Sequence, residues 1–221
     1  MGTPSLAKSY YFAEGTTRSG FDEWITLQNP GAGTITVYAT YQLGPRQGDP
    51  VKRTYRVDAG KRSTVYVPDE VGSEKDVSVK LTSGDKFLAE RPVYFNYSYK
   101  GLNRTGGHCV VGSPDTASEW FFAEGYTGNG FDEWLCIENP GGKEATVEVT
   151  YYTPLGALDK KQLKVPAGTR ATVMVNEHAG TDYELSCRLE VTSGPGIVVE
   201  RPMYFDYNGW DGGHDVMGYT P

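Results

Sequence analysis

Most of what this chain says, it says twice, and that limits its possible folds more than any other feature. Tyr11-Phe12-Ala13-Glu14-Gly15 returns as Phe121-Phe122-Ala123-Glu124-Gly125, and Gly20-Phe21-Asp22-Glu23-Trp24 returns as Gly130-Phe131-Asp132-Glu133-Trp134. Asn29-Pro30-Gly31 comes back as Asn139-Pro140-Gly141, Glu90-Arg91-Pro92 as Glu200-Arg201-Pro202, and Gly106-Gly107-His108 as Gly212-Gly213-His214. The matches keep one order at an offset of about 110 residues, with a small drift that loop insertions explain. Two copies of one module follow, 1–113 and 114–221, joined in the short polar stretch Gly112-Ser113-Pro114-Asp115-Thr116.

Within a copy the periodicity is that of strands. Ile35, Val37 and Ala39 alternate with Thr34, Thr36, Tyr38 and Thr40, and Val77, Val79 and Leu81 alternate with Asp76, Ser78 and Lys80. A period of two is the mark of half-buried antiparallel strands. In the first copy strands are expected near 9–13, 23–29, 34–43, 51–57, 62–68, 75–82 and 86–97, with turns at Asn29-Pro30-Gly31, Ala59-Gly60 and Ser83-Gly84. The 28 glycines, 13 prolines and 13% aromatics fit short strands and many turns better than helices. About seven strands in roughly 105 residues predict an all-β chain of two immunoglobulin-like antiparallel sandwiches.

Charge and cysteine usage remove several function classes. A net charge of −7 offers no basic face for a nucleic-acid backbone or anionic lipid. No apolar run reaches the roughly 18 residues that span a membrane, so no membrane insertion is expected. The first nine residues carry neither the basic nor the apolar part of a signal peptide, so the chain reads as a piece of a longer parent with other domains and an upstream leader. Of the three cysteines, only Cys136 and Cys187 share a copy, and strand alternation points Cys136 outward and Cys187 inward, against a bridge.

The run Asn29-Pro30-Gly31, Val37 to Tyr41, Ala59-Gly60 and Thr64-Val65-Tyr66-Val67 resembles bacterial immunoglobulin-like adhesion modules of the CARDB kind. The fuller set of Phe-Ala-Glu-Gly, Phe-Asp-Glu-Trp, Asn-Pro-Gly, Glu-Arg-Pro-x-Tyr-Phe and Gly-Gly-His is similar to an uncharacterised repeat in secreted and cell-wall-associated proteins of actinobacteria and their relatives. That resemblance covers nearly the whole chain twice. It implies an extracellular or cell-surface location and an accessory role, and it carries over no catalytic residue.

Packing alone does not require charges at fixed places, yet Glu14, Asp22, Glu23, Glu90, Arg91 and His108 recur as Glu124, Asp132, Glu133, Glu200, Arg201 and His214. On the seventh strand Phe87, Ala89, Arg91, Val93 and Phe95 share a face, which puts the arginine on the apolar stripe; Arg201 sits likewise among Val199, Met203 and Phe205. A buried guanidinium needs a carboxylate. Structural ion pairs are therefore expected between Arg91 and Glu14 or Asp22, and between Arg201 and Glu124 or Asp132. If any residues bind a ligand, they are Glu23, Trp24, Glu90 and His108 with their counterparts Glu133, Trp134, Glu200 and His214, although Trp24, Trp134, Phe95 and Phe205 read first as core. Asn29 and Asn139 read simply as turn residues. Calcium, ahead of zinc, would suit these residue types, but no compact ligand spacing supports a metal and no cofactor is expected. His108 after two glycines reads as a loop residue.

These residues lead to a non-catalytic extracellular module pair of a larger exported bacterial protein, acting in adhesion, spacing or presentation of neighbouring domains. A pair of carbohydrate-binding modules is the alternative, which makes a glycan or another surface protein the partner class. A hydrolase using Glu14 and Glu90 as paired carboxylates comes third; there is no nucleophile elbow, zinc-protease motif or phosphate loop to support an enzyme.

Overall fold

The computed structural model describes residues 5–221; residues 1–4, part of the stretch read for a leader, lie outside it. The chain is almost entirely β. The first half contains β1 (Ala7–Phe12), β2 (Phe21–Asn29), β3 (Ile35–Leu43), β4 (Val51–Val57), β5 (Lys61–Tyr66), the short helix α1 (Val67–Val71), β6 (Val77–Tyr99) and β7 (Leu102–Val111). The second half contains β8 (Glu119–Phe122), β9 (Phe131–Asn139), β10 (Ala145–Thr153), β11 (Gly156–Ala157), β12 (Lys161–Val165), β13 (Thr169–Met174), α2 (Val175–His178), β14 (Ser186–Ser193), β15 (Val198–Tyr207) and β16 (Trp210–Met217).

Strand β6 belongs to both layers of the first half. Its first part pairs with β1 and β3, and β3 pairs in turn with β4; its second part pairs with β2 and β7, and β2 pairs with β5. The second half pairs in the same order, but β14 and β15 divide the work of β6. The sequence between them explains the break. Ser83-Gly84-Asp85-Lys86 can stay extended, whereas Gly194-Pro195-Gly196 contains a residue with no N–H for a ladder. Gly194 also sits at φ +103°, a conformation that L side chains rarely adopt. Among the described residues, every ladder joins strands of the same half.

Counting the two parts of β6 separately and leaving aside the two-residue β11, each half has an eighth strand that the alternation pattern does not predict. It is the strand that carries Gly-Gly-His, so His108 is a strand residue and not the loop residue expected. Strands β7 and β16 return through two-residue turns, Lys100-Gly101 and Asn208-Gly209, with φ positive at all four positions. That is the geometry favoured in tight hairpins, and Asn-Gly is its strongest signal. The fifth strand ends two residues earlier than expected, because Val67-Pro68 opens a helical turn.

The first core packs Tyr10, Phe12, Ile25, Leu27, Tyr41 and Phe87, all at most 2% exposed. The second packs Trp120, Phe122, Leu135, Ile137, Tyr151 and Leu189. Trp24 and Trp134 are only half-buried, which corrects the core assignment. Glu23 and Ile25 point inward, so Trp24 points away from the core and packs on Tyr66 at 4.4 Å between centroids. Phe95 is buried while Phe205 is partly exposed. Each half also closes on itself where the chain leaves it: Tyr11 and Ser113 exchange two backbone hydrogen bonds of 2.8 and 3.0 Å, and Phe121 and Tyr219 exchange two of 2.9 and 3.0 Å.

Asn29 and Asn139 do more than permit a turn. Asn29 is fully buried; its Nδ2 donates to the carbonyls of Gly33 and Val57 at 2.8 and 2.9 Å, and its Oδ1 accepts from Gly31 N at 3.0 Å. Asn139 makes the same bonds to Lys143, Val165 and Gly141. Asn29→Ala leaves buried backbone groups unpaired, so urea unfolding should show a loss of about 2–3 kcal/mol. A loss below about 0.5 kcal/mol, the range of ordinary surface changes, would show that the turn holds without the clamp.

Candidate functional site

The β6–β7 hairpin overhangs its own sandwich. The overhanging face, with Arg91, Phe95 and Tyr97, lies against the outer face of the sheet formed by β13, β9, β15 and β16, and five of the recurring polar residues, Glu14, Arg91, His108, Asp132 and Glu200, gather in this junction. Arg91 is completely buried. Its Nη1 donates to the Glu14 carbonyl at 2.5 Å and to Glu200 Oε2 at 2.7 Å; its Nη2 lies 2.6 Å from Asp215 Oδ2 and 2.9 Å from Glu14 Oε2. The guanidinium sits 5.5 Å from the centre of the Phe12 ring. The Glu14 amide donates to Glu200 Oε2 at 2.6 Å, and Tyr204 Oη donates to Glu14 Oε1 at 3.3 Å. Glu14 is the partner the sequence reading expects for Arg91; Glu200 and Asp215, both from the second half, are additional.

The rest of the junction is also polar and crosses between the halves. Arg104 pairs with Asp132 at 2.5 Å. Arg170, 2% exposed, donates from Nη1 to the carbonyls of Gly15 and Val77 at 2.7 and 2.8 Å. Gln42 Nε2 donates to the Asn139 carbonyl, and the Thr105 amide donates to Asp211. Tyr204 meets Phe95 and Tyr97 edge to face at 5.0 and 5.6 Å. Gly213 has to be glycine here, since a Cβ would lie 2.7 Å from Tyr204 and 2.9 Å from Phe95.

Carboxylates outnumber the guanidinium in this buried space. Burial pushes the Asp215 carboxyl well above its usual range, with Glu200 adding to the rise and Arg91 opposing it. Burial also raises Glu23 and Glu138, whose carboxylate oxygens lack hydrogen-bond partners among the described residues. Burial alone would lower the Arg91 pKa, but Glu200, Glu14 and Asp215 outweigh it and keep the guanidinium charged. His108 is pushed down to about 3, mainly by burial and then by Arg91, so it is neutral. It packs against Phe95 and Tyr204, and neither ring nitrogen has a hydrogen-bond partner among the described residues. Glu14, His108 and Asp215 each offer an atom within 4.8 Å of the others, a spacing that a metal could use. Arg91 already bonds both carboxylates there, so an incoming cation would meet a fixed positive charge.

Several sequence assignments change. Asp22 is exposed and accepts from Tyr66 Oη at 2.6 Å, so it does not pair with Arg91. Asp132 pairs with Arg104 instead of Arg201. Arg201 is buried and lies 2.7 Å from Glu124, whose side chain is 60% exposed. Glu90 points out of the sheet while neighbouring Arg91 points in toward Glu14, so the two carboxylates do not face each other across a cleft. Glu133 is buried, accepts from the Tyr126 amide at 2.8 Å and is pushed up to about 8 by burial. His214 is half-buried. Cys136 is buried in the junction and Cys187 in the second core; both are free. Sequence reasoning missed Asp215, Glu138, Arg104 and Arg170. The first three stand where the copies differ, opposite Cys109, Gln28 and Trp210, and a search for what recurs passes over them.

A family of unknown function, DUF5719, matches residues 100–198, a window running from β7 to the start of β15. No curated protein matches. Among solved structures, a Thermotoga maritima protein (1070) is similar at 16% identity over 50% of this chain and 97% of its own, with a TM-score of 0.42. The Anabaena sensory rhodopsin transducer is similar at 27% identity over 39% of this chain and 96% of its own, with a TM-score of 0.35. The PBSX exported protein XepA is similar at 10% identity over 91% of this chain and 84% of its own, with a TM-score of 0.29.

Removing the guanidinium strands three carboxylates. Arg91→Met should destabilise the chain by about 3–5 kcal/mol in urea unfolding. Arg91→Lys keeps the charge without the planar fork, so it should fall between Met and wild type. A loss under about 1 kcal/mol for Arg91→Met would place it with exposed pairs and remove it as the tie between the halves.

The buried acids also set a pH dependence. Folded Glu133 holds its proton up to about 8, against 4.5 for the ordinary carboxyl. The native state then binds more protons than the unfolded one across that window, so stability falls as pH rises through it. From pH 7 to pH 8, where unfolded histidines are mostly neutral, Glu133 should contribute a loss of about 1 kcal/mol. Burial shifts Glu23, Glu138 and Asp215 in the same direction. Glu133→Gln should remove about 1 kcal/mol of it; an unchanged pH slope in that variant would show that Glu133 is ionised when folded.

Proposed function

We propose that this chain is a non-catalytic module pair of a larger exported protein, acting in spacing or presentation of neighbouring domains, or in adhesion. One observation carries the reading: the charged residues that recur, and so could have formed a binding or catalytic site, are largely consumed in internal pairing. Arg91, Glu14 and Glu200 are bonded to one another in the junction, and Glu23 and Glu133 are buried beneath it or within the second half. A hydrolase would need an open cleft between its carboxylates, and this arrangement instead buries one and turns the other to the opposite side of a sheet. The exported location rests on the motif resemblance to repeats of secreted and cell-wall-associated proteins.

Exposed aromatic rings favour the carbohydrate-binding alternative. Tyr38, Tyr94, Tyr207 and Trp210 are 57%, 58%, 50% and 77% exposed, and such rings can stack on sugar faces. A glycan array probed with the purified chain separates the two readings. The structural reading expects no glycan retained above background. Retention that Tyr94→Ala or Trp210→Ala abolishes would replace it with a carbohydrate-binding role.

A further inference from the structure

The face of the second half that receives the hairpin has a counterpart on the first half, and that counterpart is open. In the junction the receiving face is built from Cys136, Glu138, Arg170, Glu200, Tyr204 and Asp215, all buried. Strand pairing places Thr26, Gln28, Arg62, Glu90, Tyr94 and Cys109 at the matching positions of β2, β5, β6 and β7. Tyr94 is 58% exposed where Tyr204 is 5% exposed, and Arg62 is exposed where Arg170 is buried. A shallow depression runs between Thr26, Gln28, Arg62, Glu90 and Cys109.

The inserting side is duplicated and open in the same way. Ala13, Glu14 and Gly15 are buried in the junction, while Ala123 and Glu124 are exposed. Around them a second depression includes Gly125, Tyr152, Leu185 and Ser186, the counterparts of Gly15, Gln42, Val77 and Ser78. On the overhanging hairpin Tyr207 and Trp210 stand in solvent where Tyr97 and Arg104 are covered. Arg201 is 3% exposed, yet its Nη1 has no hydrogen-bond partner among the described residues; the same atom of Arg91 is bonded to Glu200.

We propose that this chain associates head to tail with a second copy of itself, the Glu124–Arg201 end of one docking on the Arg62–Glu90 face of the next. The internal junction supplies the bonds. Arg201 Nη1 and the Glu124 amide donate to the Glu90 carboxylate, as Arg91 and Glu14 do to Glu200. Arg62 donates to the carbonyls of Gly125 and Leu185, as Arg170 does to Gly15 and Val77. Tyr94 enters beside Phe205 and Tyr207, as Tyr204 does beside Phe95 and Tyr97. The differing positions are compatible. The Tyr152 hydroxyl replaces the Gln42 amide as a donor, and Trp210 replaces the Arg104 ion pair with aromatic cover. Gln28 and Cys109 replace Glu138 and Asp215, so fewer carboxylates are buried. Because the surfaces that meet are different, two chains do not close on each other and the contact propagates as an open array. This inference concerns surfaces alone and does not depend on the function proposed above.

Sedimentation equilibrium tests it, with wild type at concentrations from about 10 μM to about 1 mM, the span that captures a weak untethered contact. The weight-average mass should climb from the monomer value to beyond twice that value. Two variants block one side each, Arg62→Glu/Tyr94→Glu and Tyr207→Glu/Trp210→Glu; all four side chains are exposed, and thermal melts check that both variants fold. Each variant alone should remain monomeric, and their equimolar mixture should form a one-to-one dimer and nothing larger. Wild type that stays monomeric throughout overturns the proposal. So does a dimer that survives in either variant alone, which would mark a symmetric contact elsewhere.

Discussion

A guanidinium taken wholly out of water can be tolerated only where carboxylates surround it, and in this chain one half does not supply enough of them. Arg91 finds Glu14 within its own half but takes Glu200 and Asp215 from the other. The position of the second half is thereby tied to the chemistry of a single side chain in the first. Arg170 works in the opposite direction, since its charge is satisfied by the Gly15 and Val77 carbonyls at the end of the first sandwich. Neither half can move away without stranding a buried charge. The aromatic group around Tyr204 fills space beside it.

Much of this was legible in the sequence. Alternation through Phe87 to Phe95 puts Arg91 on an apolar stripe, and the low dielectric there demands a carboxylate, with Glu14 a recurring candidate. Alternation does not reveal that the stripe continues past the edge of its own sandwich. A strand pattern marks which face is covered, but it does not say by what. Cys136 shows the same limit from the other side: it points away from its own core, as read, and is buried all the same because the other half lies on it. The eighth strand escaped because Gly-Gly interrupts any hydrophobic alternation, although Asn208-Gly209 marks the hairpin that leads into it. Trp24 and Trp134 were misassigned by weighting residue type above position, since Glu23 and Ile25 already fix the inward face.

The two halves, alike in strand order, differ in a patterned way around the junction they share. Some positions that match serve each half's own fold: the Asn-Pro-Gly clamps and the buried acid at Glu23 and Glu133; the inward arginine matches too, but Arg91 also reaches across to Glu200 and Asp215. The positions that differ sort by which side of the junction they occupy. Asp215 and Glu138 stand on the covered face, and Cys109 and Gln28 take their places on the open one. Of the two acids on the covered face, Asp215 is held by the Arg91 guanidinium while Glu138 has no hydrogen-bond partner among the described residues; the open face has Cys109 and Gln28 in their place and so carries less charge to desolvate.

The paired backbone bonds between Tyr11 and Ser113, repeated between Phe121 and Tyr219, bring the chain out of each half beside the point where it came in. A unit whose ends meet is topologically a ring with one cut, and its packing is indifferent to where the cut falls. The tight turn at Lys100-Gly101 lies on the surface and would serve as well as the present opening. Circular order, more than linear order, therefore describes each half: strands could be read starting from β7 and ending on β6 with every ladder intact.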